Sequence, residues 1–236
     1  MGLVSGPRCI PNELVDAFTM HFKIKTENQY CDNDAVDERY YPEIDVLKGL
    51  VWAIQGKPQT YPETTMWLHE ALNKYPIQNS HTVVMGSVNP QYETMAVAYR
   101  ASPVTIVEYA KIICCPIMRY ITCDEYLSYD LKFDNMISIS TFEHDGLGRY
   151  GDPIDPDADL KAMKIAKEKI NKGGLMFLAV PCAKQDLLCW NAHRVYGPLR
   201  LPLLLEGWQV IEQFGSVDDM DEKDKYIQPV FVLRNV

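Results

Sequence analysis

The spacing of apolar side chains along the chain changes once, near residue 80. Before that point they recur at helical intervals: Leu14, Phe18 and Phe22, then Val46, Leu47, Leu50, Val51 and Ile54, then Trp67, Leu68, Ala71 and Leu72. Each set gives a helix one apolar face. Pro42, Pro58, Pro62 and Pro76 interrupt these stretches. The pattern therefore predicts short helices separated by turns, an N-terminal helical cap over residues 1–80. From His81 onward, short β-rich runs alternate with helical ones, which predicts βαβ units and a mostly parallel sheet over residues 81–236. The runs are Thr82 to Met85, Val104 to Val107, Tyr120 to Thr122, Asn135 to Ser140 and Leu175 to Val180. Before the last of them, Asp155 reads as a helix N-cap, Pro156 as the first helical residue, and Asp157 and Asp159 as acids at the positive end of the dipole. Leu160, Met163, Ala166 and Ile170 form that helix's core face, and Gly173 reads as its left-handed terminator. Trp208 to Phe214 and Ile227 to Leu233, joined by an acidic connection that runs from Asp218 through Glu222 to Asp224, read as an antiparallel pair.

Composition narrows the partners. The chain has 236 residues, 23 Lys and Arg against 32 Asp and Glu, and a formal net charge of −9. No basic stripe suits a nucleic-acid backbone or an anionic membrane surface. Cys9, Cys31, Cys114, Cys115, Cys123, Cys182 and Cys189 are odd in number and contain no C-x-x-C pair. They read as core thiols in a reducing compartment, neither a disulfide scaffold nor a zinc site. The opening Met1 to Gly6 has no apolar leader and misses the myristoylation pattern at Gly6. The most apolar stretch, Leu175 to Ala183, is about half of the ~18 residues that would span a bilayer. The expected location is cytoplasmic, with no membrane insertion.

The candidate chemistry lies after the predicted strands, where open α/β sheets bind ligands. After the first strand comes Met85-Gly86-Ser87-Val88-Asn89-Pro90, with a single glycine where a dinucleotide site would show three. A tight strand-to-helix turn explains it equally well. Glu108 follows the second strand, placed to accept hydrogen bonds from both hydroxyls of a ribose. Asp124 follows the third, able to meet an adenine amino group or to cap a helix. Beyond the fourth strand, Ser140-Thr141-Phe142-Glu143-His144-Asp145-Gly146-Leu147-Gly148-Arg149-Tyr150-Gly151-Asp152 has the glycine content of a loop that approaches a ligand closely. His144 has the ordinary pKa for proton abstraction near neutrality. Asp152, Asp155, Asp157 and Asp159 lack the glycine and the closing glutamate of a calcium loop. Trp190-Asn191-Ala192-His193-Arg194-Val195-Tyr196-Gly197 sets hydrogen-bonding groups beside an aromatic face, a combination that suits a sugar ring or a buried Trp beside a turn. Arg149, Arg194 and Arg200 could clamp a phosphate or carboxylate.

The run Phe142 to Pro153, with Lys172-Gly173-Gly174-Leu175 and Asn191 to Gly197, resembles a family catalogued as a domain of unknown function in Caenorhabditis proteins. That family resembles class I S-adenosylmethionine-dependent methyltransferases, over roughly His81 to Val236. A fainter similarity is to the methyltransferase portion of algal-virus glycan-assembly proteins. The resemblance implies a Rossmann-like α/β fold, with a seven-stranded sheet ending in an antiparallel pair, and S-adenosylmethionine as cofactor. It places Gly86 and Ser87 at the methionine part, Glu108 at the ribose, Asp124 at the adenine and Ser140 beside the methyl-transfer site. His144 is the expected base, oriented by Glu143 or Asp145, with His193 as the alternative. Arg149, Tyr150, Trp190, Asn191, Arg194 and Tyr196 are the expected acceptor ligands. The expected acceptor is a sugar hydroxyl, on a small molecule or glycan, such as that of a deoxyhexose like rhamnose or fucose. A nicotinamide-dependent oxidoreductase and a non-catalytic binding module of the same fold are the competing readings, and Glu143, His144 and Asp152 offer a weaker metal-assisted one.

Overall fold

The structure, a computed structural model, describes residues 5–32, 36–221 and 224–236. The opening Met1 to Val4 and Glu222 lie outside the described residues. The N-terminal part holds α1 (Val15–Phe18), β1 (Lys25–Asn28), β2 (Glu38–Tyr40), α2 (Glu43–Ile54) and α3 (Pro62–Lys74). The chain then runs through β3 (Thr82–Met85), α4 (Gln91–Ala98), β4 (Val104–Glu108), β5 (Lys111–Ile113), β6 (Arg119–Thr122), α5 (Cys123–Ser128) and β7 (Phe133–Ile139). It continues through α6 (Ala158–Lys169), β8 (Ile170–Ala179), β9 (Leu187–Trp190), β10 (His193–Val195), α7 (Leu201–Leu204), β11 (Gln209–Phe214) and β12 (Val230–Arg234).

The central sheet has seven strands in the order β11-β12-β8-β7-β3-β4-β6. Strands β8, β7, β3, β4 and β6 are parallel, β12 runs antiparallel to β8, and β11 antiparallel to β12. This is the mixed sheet with an antiparallel C-terminal pair that the residues imply. Side chains alternate between its faces as the pleat requires. Val83, Met85, Val107, Met136, Met176 and Leu178 pack with Met163, Ala166 and Leu204 on one side. Val84, Ile137, Ile139, Phe177 and Ala179 pack with Leu68, Leu72 and Met95 on the other. The order reverses between β3 and β7, so the carboxyl ends of these two strands open the crevice where such sheets take ligands.

The N-terminal part differs from an all-helical reading. Met20, His21 and Phe22 have φ of 49°, 58° and 61°, which ends α1 and leaves Phe22 exposed. Strand β1 instead runs parallel to β9, and β2 parallel to β5. Helix α2 buries Val46, Gly49 and Ala53 but exposes Leu47, Val51 and Ile54. Helix α6 begins at Ala158 after Asp157. The Asp155 side chain accepts from the Asp157 N–H at 3.0 Å, forming the turn before the helix. The helix ends at Lys169, and Gly173, at φ 84°, lies inside the irregular start of β8. All seven cysteines carry free thiols, but only Cys182 and Cys189 are buried. Among the described residues, no helix is long and apolar enough to cross a membrane.

Candidate functional site

A cavity of about 490 Å³ opens at the reversal point. Its floor is the Met85 to Asn89 turn after β3 and the Ile139 to Asp145 loop after β7. Gly86 adopts φ 67°, and a Cβ there would overlap the Thr141 side chain. Only glycine lets the two loops cross this closely. Thr141 fastens the crossing by donating its hydroxyl to the Met85 carbonyl at 2.8 Å.

Glu108, at the end of β4, lines the cavity and is buried. Its Oε2 accepts from the Ser87 N–H at 2.6 Å and its Oε1 from the Tyr109 N–H at 3.0 Å. Burial raises its carboxyl above the ordinary range, against those N–H donors. Behind the turn, Tyr41 hydrogen-bonds the Ser87 hydroxyl. Glu93, fully buried in α4, is pushed up to about 7 by that burial.

On the β7 side, Ser140 adopts φ 54°, a strained conformation for a non-glycine residue. It points its hydroxyl at Glu143 Oε1, 2.6 Å away, with the Tyr61 hydroxyl at 3.3 Å. Glu143 has no exposed surface, and burial pushes its carboxyl up to about 7. Its Oε2 has no hydrogen-bond partner among the described residues. His144 lines the cavity with its Nδ1 2.6 Å from the Ala192 carbonyl. A carbonyl only accepts, so Nδ1 carries the proton and Nε2 holds the lone pair, 3.7 Å from Glu143 Oε1. Burial, with the neighbouring Arg149, lowers His144 to about 3. Asp145 also lines the cavity, its carboxyl raised by burial and by Asp152.

The structure brings Gly86, Ser87, Glu108, Ser140, His144, Asp145, Arg149 and Tyr150 to one cavity, with Glu143 directly behind Ser140. Asp124 is placed elsewhere. Thr122 and Glu125 form the capping box of α5, and Cys123, Tyr126 and Leu127 share the face that reaches the cavity, so Asp124 points to solvent. The expected acceptor ligands from the later segment are also spent differently. Trp190 donates to the Pro7 carbonyl at 3.0 Å and packs edge-on against Phe18. Asn191 accepts from the Cys31 N–H at 2.6 Å. Arg194 donates to the Asp145 carbonyl at 2.6 Å, and Tyr196 to Asp159 at 2.9 Å. Arg200 also donates to Asp159, at 2.9 Å. Burial would raise Asp159, but Arg194, Arg200 and Tyr196 hold it below its ordinary value. This buried knot ties the β7 loop to α6. His193 lies one layer back, its ring 6.4 Å from His144 and 5.3 Å from Tyr226, and burial lowers it to about 4. Among the described residues, no group of three or more His, Cys, Asp and Glu is placed to hold a metal.

Sequence reasoning missed Arg39, Thr60, Tyr61, Tyr92, Tyr109, Lys161 and Ile165, which all line the cavity. Tyr109 follows Glu108 directly and was within reach of the strand-end rule. Tyr61 had no signal, because its place depends on how α3 packs.

Residues 79–228 match the family described as "Caenorhabditis protein of unknown function, DUF268". The chain belongs to this family. The match takes in Gly86, Glu108, Ser140, Glu143 and His144 and ends just before β12. None of the curated proteins matches the chain. Solved structures share the Rossmann-like methyltransferase fold at low identity. An S-adenosylmethionine-dependent methyltransferase from Clostridium acetobutylicum ATCC 824 is 8% identical, with 75% of this chain and 92% of that chain covered and a TM-score of 0.50. One from Mesorhizobium loti is 11% identical, with 71% and 97% covered and a TM-score of 0.50. SMU.776 complexed with SAH is 12% identical, with 74% and 50% covered and a TM-score of 0.50. This chain thus spans about half the length of SMU.776. At such identities the likeness speaks to the fold of this DUF268 protein.

Proposed function

We propose that this DUF268 protein is an S-adenosylmethionine-dependent O-methyltransferase acting on a sugar hydroxyl. The observation that carries the reading is the cavity at the β3/β7 reversal, where Gly86 and Ser87, Glu108 and the strained Ser140 meet. The residues fit the cofactor. A turn without side-chain bulk at Gly86 suits the methionine part, Glu108 can accept from ribose hydroxyls, and Tyr109, Cys123, Leu127 and Ile165 suit the flat adenine. Asp145, beside Tyr109 and Cys123, supplies the polar contact at that end in place of Asp124. Bound S-adenosylmethionine supplies an electrophilic methyl group for an in-line displacement.

The chain's residues hold the acceptor oxygen in line and remove its proton. Tyr61, Tyr92, Arg149 and Tyr150 line the cavity near Ser140 and suit a polyhydroxylated ring with apolar faces. The proton passes through the Ser140 hydroxyl to Glu143, whose carboxyl sits near neutrality and is therefore the better base. His144, held neutral by burial and fixed by its Nδ1–H on the Ala192 carbonyl, packs beside Glu143 and walls that carboxyl from solvent. The first 80 residues act as a cap, contributing Arg39, Thr60 and Tyr61 to the cleft. Incubation with labelled S-adenosylmethionine and a panel of nucleotide sugars and short glycans tests the proposal. Label should pass to a sugar hydroxyl, and absence of transfer to every member would remove the sugar assignment.

A further inference from the structure

A second cleft, of about 550 Å³, lies on the outer side of the Thr60 wall. It shares Thr60, Val88, Asn89 and Gln91 with the cavity described above, so the two adjoin across these residues. Its walls come from the N-terminal part: Tyr40 and Tyr41 from β2 and beyond, Asp45, Lys48, Gly49 and Trp52 from α2, and Gln59. Helix α2 is seated close to α4 at Gly49, where a Cβ would meet Thr94 Oγ1 at 2.8 Å. That seating turns Asp45, Lys48 and Trp52 toward the cleft.

Three features of this wall suit a ligand. Tyr40 is 67% exposed and Trp52 44% exposed, although both are large aromatic side chains. The Gln59 Nε2 is buried and has no hydrogen-bond partner among the described residues, a donor whose desolvation they leave unrepaid. Asp45 and Lys48, 3.6 Å apart, add an acceptor and a donor at the rim.

Exposed aromatic faces flanked by amide, carboxylate and ammonium groups are the surface that recognises a pyranose. The ring's C–H face stacks on the indole or phenol, and its hydroxyl edge needs both donors and acceptors. We propose that this second cleft binds the next sugar residues of an oligosaccharide acceptor, whose reacting residue sits at Ser140 in the main cavity. The proposal rests on the sugar-methyltransferase reading. Trp52 and Tyr40 supply the stacking faces, and Gln59 donates to a ring hydroxyl once its amide turns into the cleft. The protein thereby selects a hydroxyl within a chain over the free monosaccharide.

Calorimetry on the full chain tests this, with SAH titrated first and then mono-, di- and trisaccharides built on each sugar of the panel. Wild type should bind at least one di- or trisaccharide about tenfold tighter than its parent monosaccharide, an increment set by one aromatic contact and one hydrogen bond. Trp52→Ala and Gln59→Ala should each erase most of that increment and leave SAH and monosaccharide affinity unchanged. A wild type that binds SAH but shows no gain with chain length overturns the cleft proposal and leaves the cofactor reading intact. A gain that survives both substitutions overturns it as well. Absence of SAH binding strikes the cofactor reading instead, and the saccharide series run without SAH still reads the cleft.

Discussion

The Ser140 hydroxyl donates to Glu143 Oε1 at 2.6 Å, from a backbone held at φ 54°. The pair joins a cavity-lining hydroxyl to a carboxyl with no exposed surface and a second oxygen that no described residue hydrogen-bonds. A base must be ionised to accept a proton, so activity should rise with pH through about 7, the value to which burial pushes Glu143. Glu143→Gln should flatten that rise and lower methyl transfer by about 10² or more, as loss of a general base does. SAH affinity should stay within about twofold of wild type, since the cofactor's groups bind elsewhere. A rate profile unchanged in Glu143→Gln would move the base to another residue.

Gly86→Ala should impair both stability and cofactor affinity. The new Cβ meets Thr141, and φ 67° is strained for alanine. A loss of roughly 1 to 3 kcal/mol in urea unfolding is expected, together with weaker SAH binding. Wild-type behaviour in both would mean that the β3 and β7 loops are not locked by this crossing.

Asp159 is paired within the fold to Arg200 at 2.9 Å and to Tyr196 at 2.9 Å. Asp159→Asn leaves Arg194 buried without its counter-charge and Arg200 with only the exposed Asp157 at 3.8 Å, which should cost about 3 to 5 kcal/mol. Denaturant midpoints of the variant and wild type check this. A shift under about 0.5 kcal/mol would show that solvent reaches the knot.

Glu93 offers a pH signature. Its carboxyl is raised from 4.5 to about 7 in the folded chain, so the stability it contributes is complete below its unfolded value and is lost as pH rises through about 7. Glu93→Gln cannot ionise. Relative to wild type, it should gain stability between about pH 4.5 and 7, by an amount on the order of 3 to 4 kcal/mol at about 1.4 kcal/mol per pKa unit. The stability difference between the two proteins, followed by thermal unfolding across that range, reads this directly. A difference that does not change with pH would place a partner beside Glu93.

The legible parts of the chain were those whose burial is set locally. Strand β3 was read to the residue, and β4 and β7 to within two at either end, because strands buried on both faces are short apolar runs between turns, while the edge strand β6 was read from its aromatic and β-branched residues Tyr120, Ile121 and Thr122. The loop after β7 stood out for its glycines, but Gly146 and Gly148 serve packing on the Asp155 carbonyl and Gly6 and do not line the cavity. Strands β1 and β2 escaped because their side chains are mostly exposed and polar, so pairing with β9 and β5 leaves no alternation to read. Trp190, Asn191, Arg194 and Tyr196 misled for a different reason. Arg and Asn side chains satisfy backbone groups as readily as a ligand, and Arg194 donates to carbonyls of the very loop it was expected to accompany. Asp124 and Cys123 differ by one position, and only the helix phase set by the Thr122 cap decides which of them faces the cavity.

Direct titration of SAH into the purified full chain, in parallel with NAD, addresses the central claim most closely. Saturable one-to-one SAH binding is expected, weakened at least about tenfold by Glu108→Ala, since a carboxylate that accepts from two ribose hydroxyls is worth at least about 1.4 kcal/mol. Tight binding of NAD with none of SAH, or SAH binding indifferent to Glu108, would contradict it.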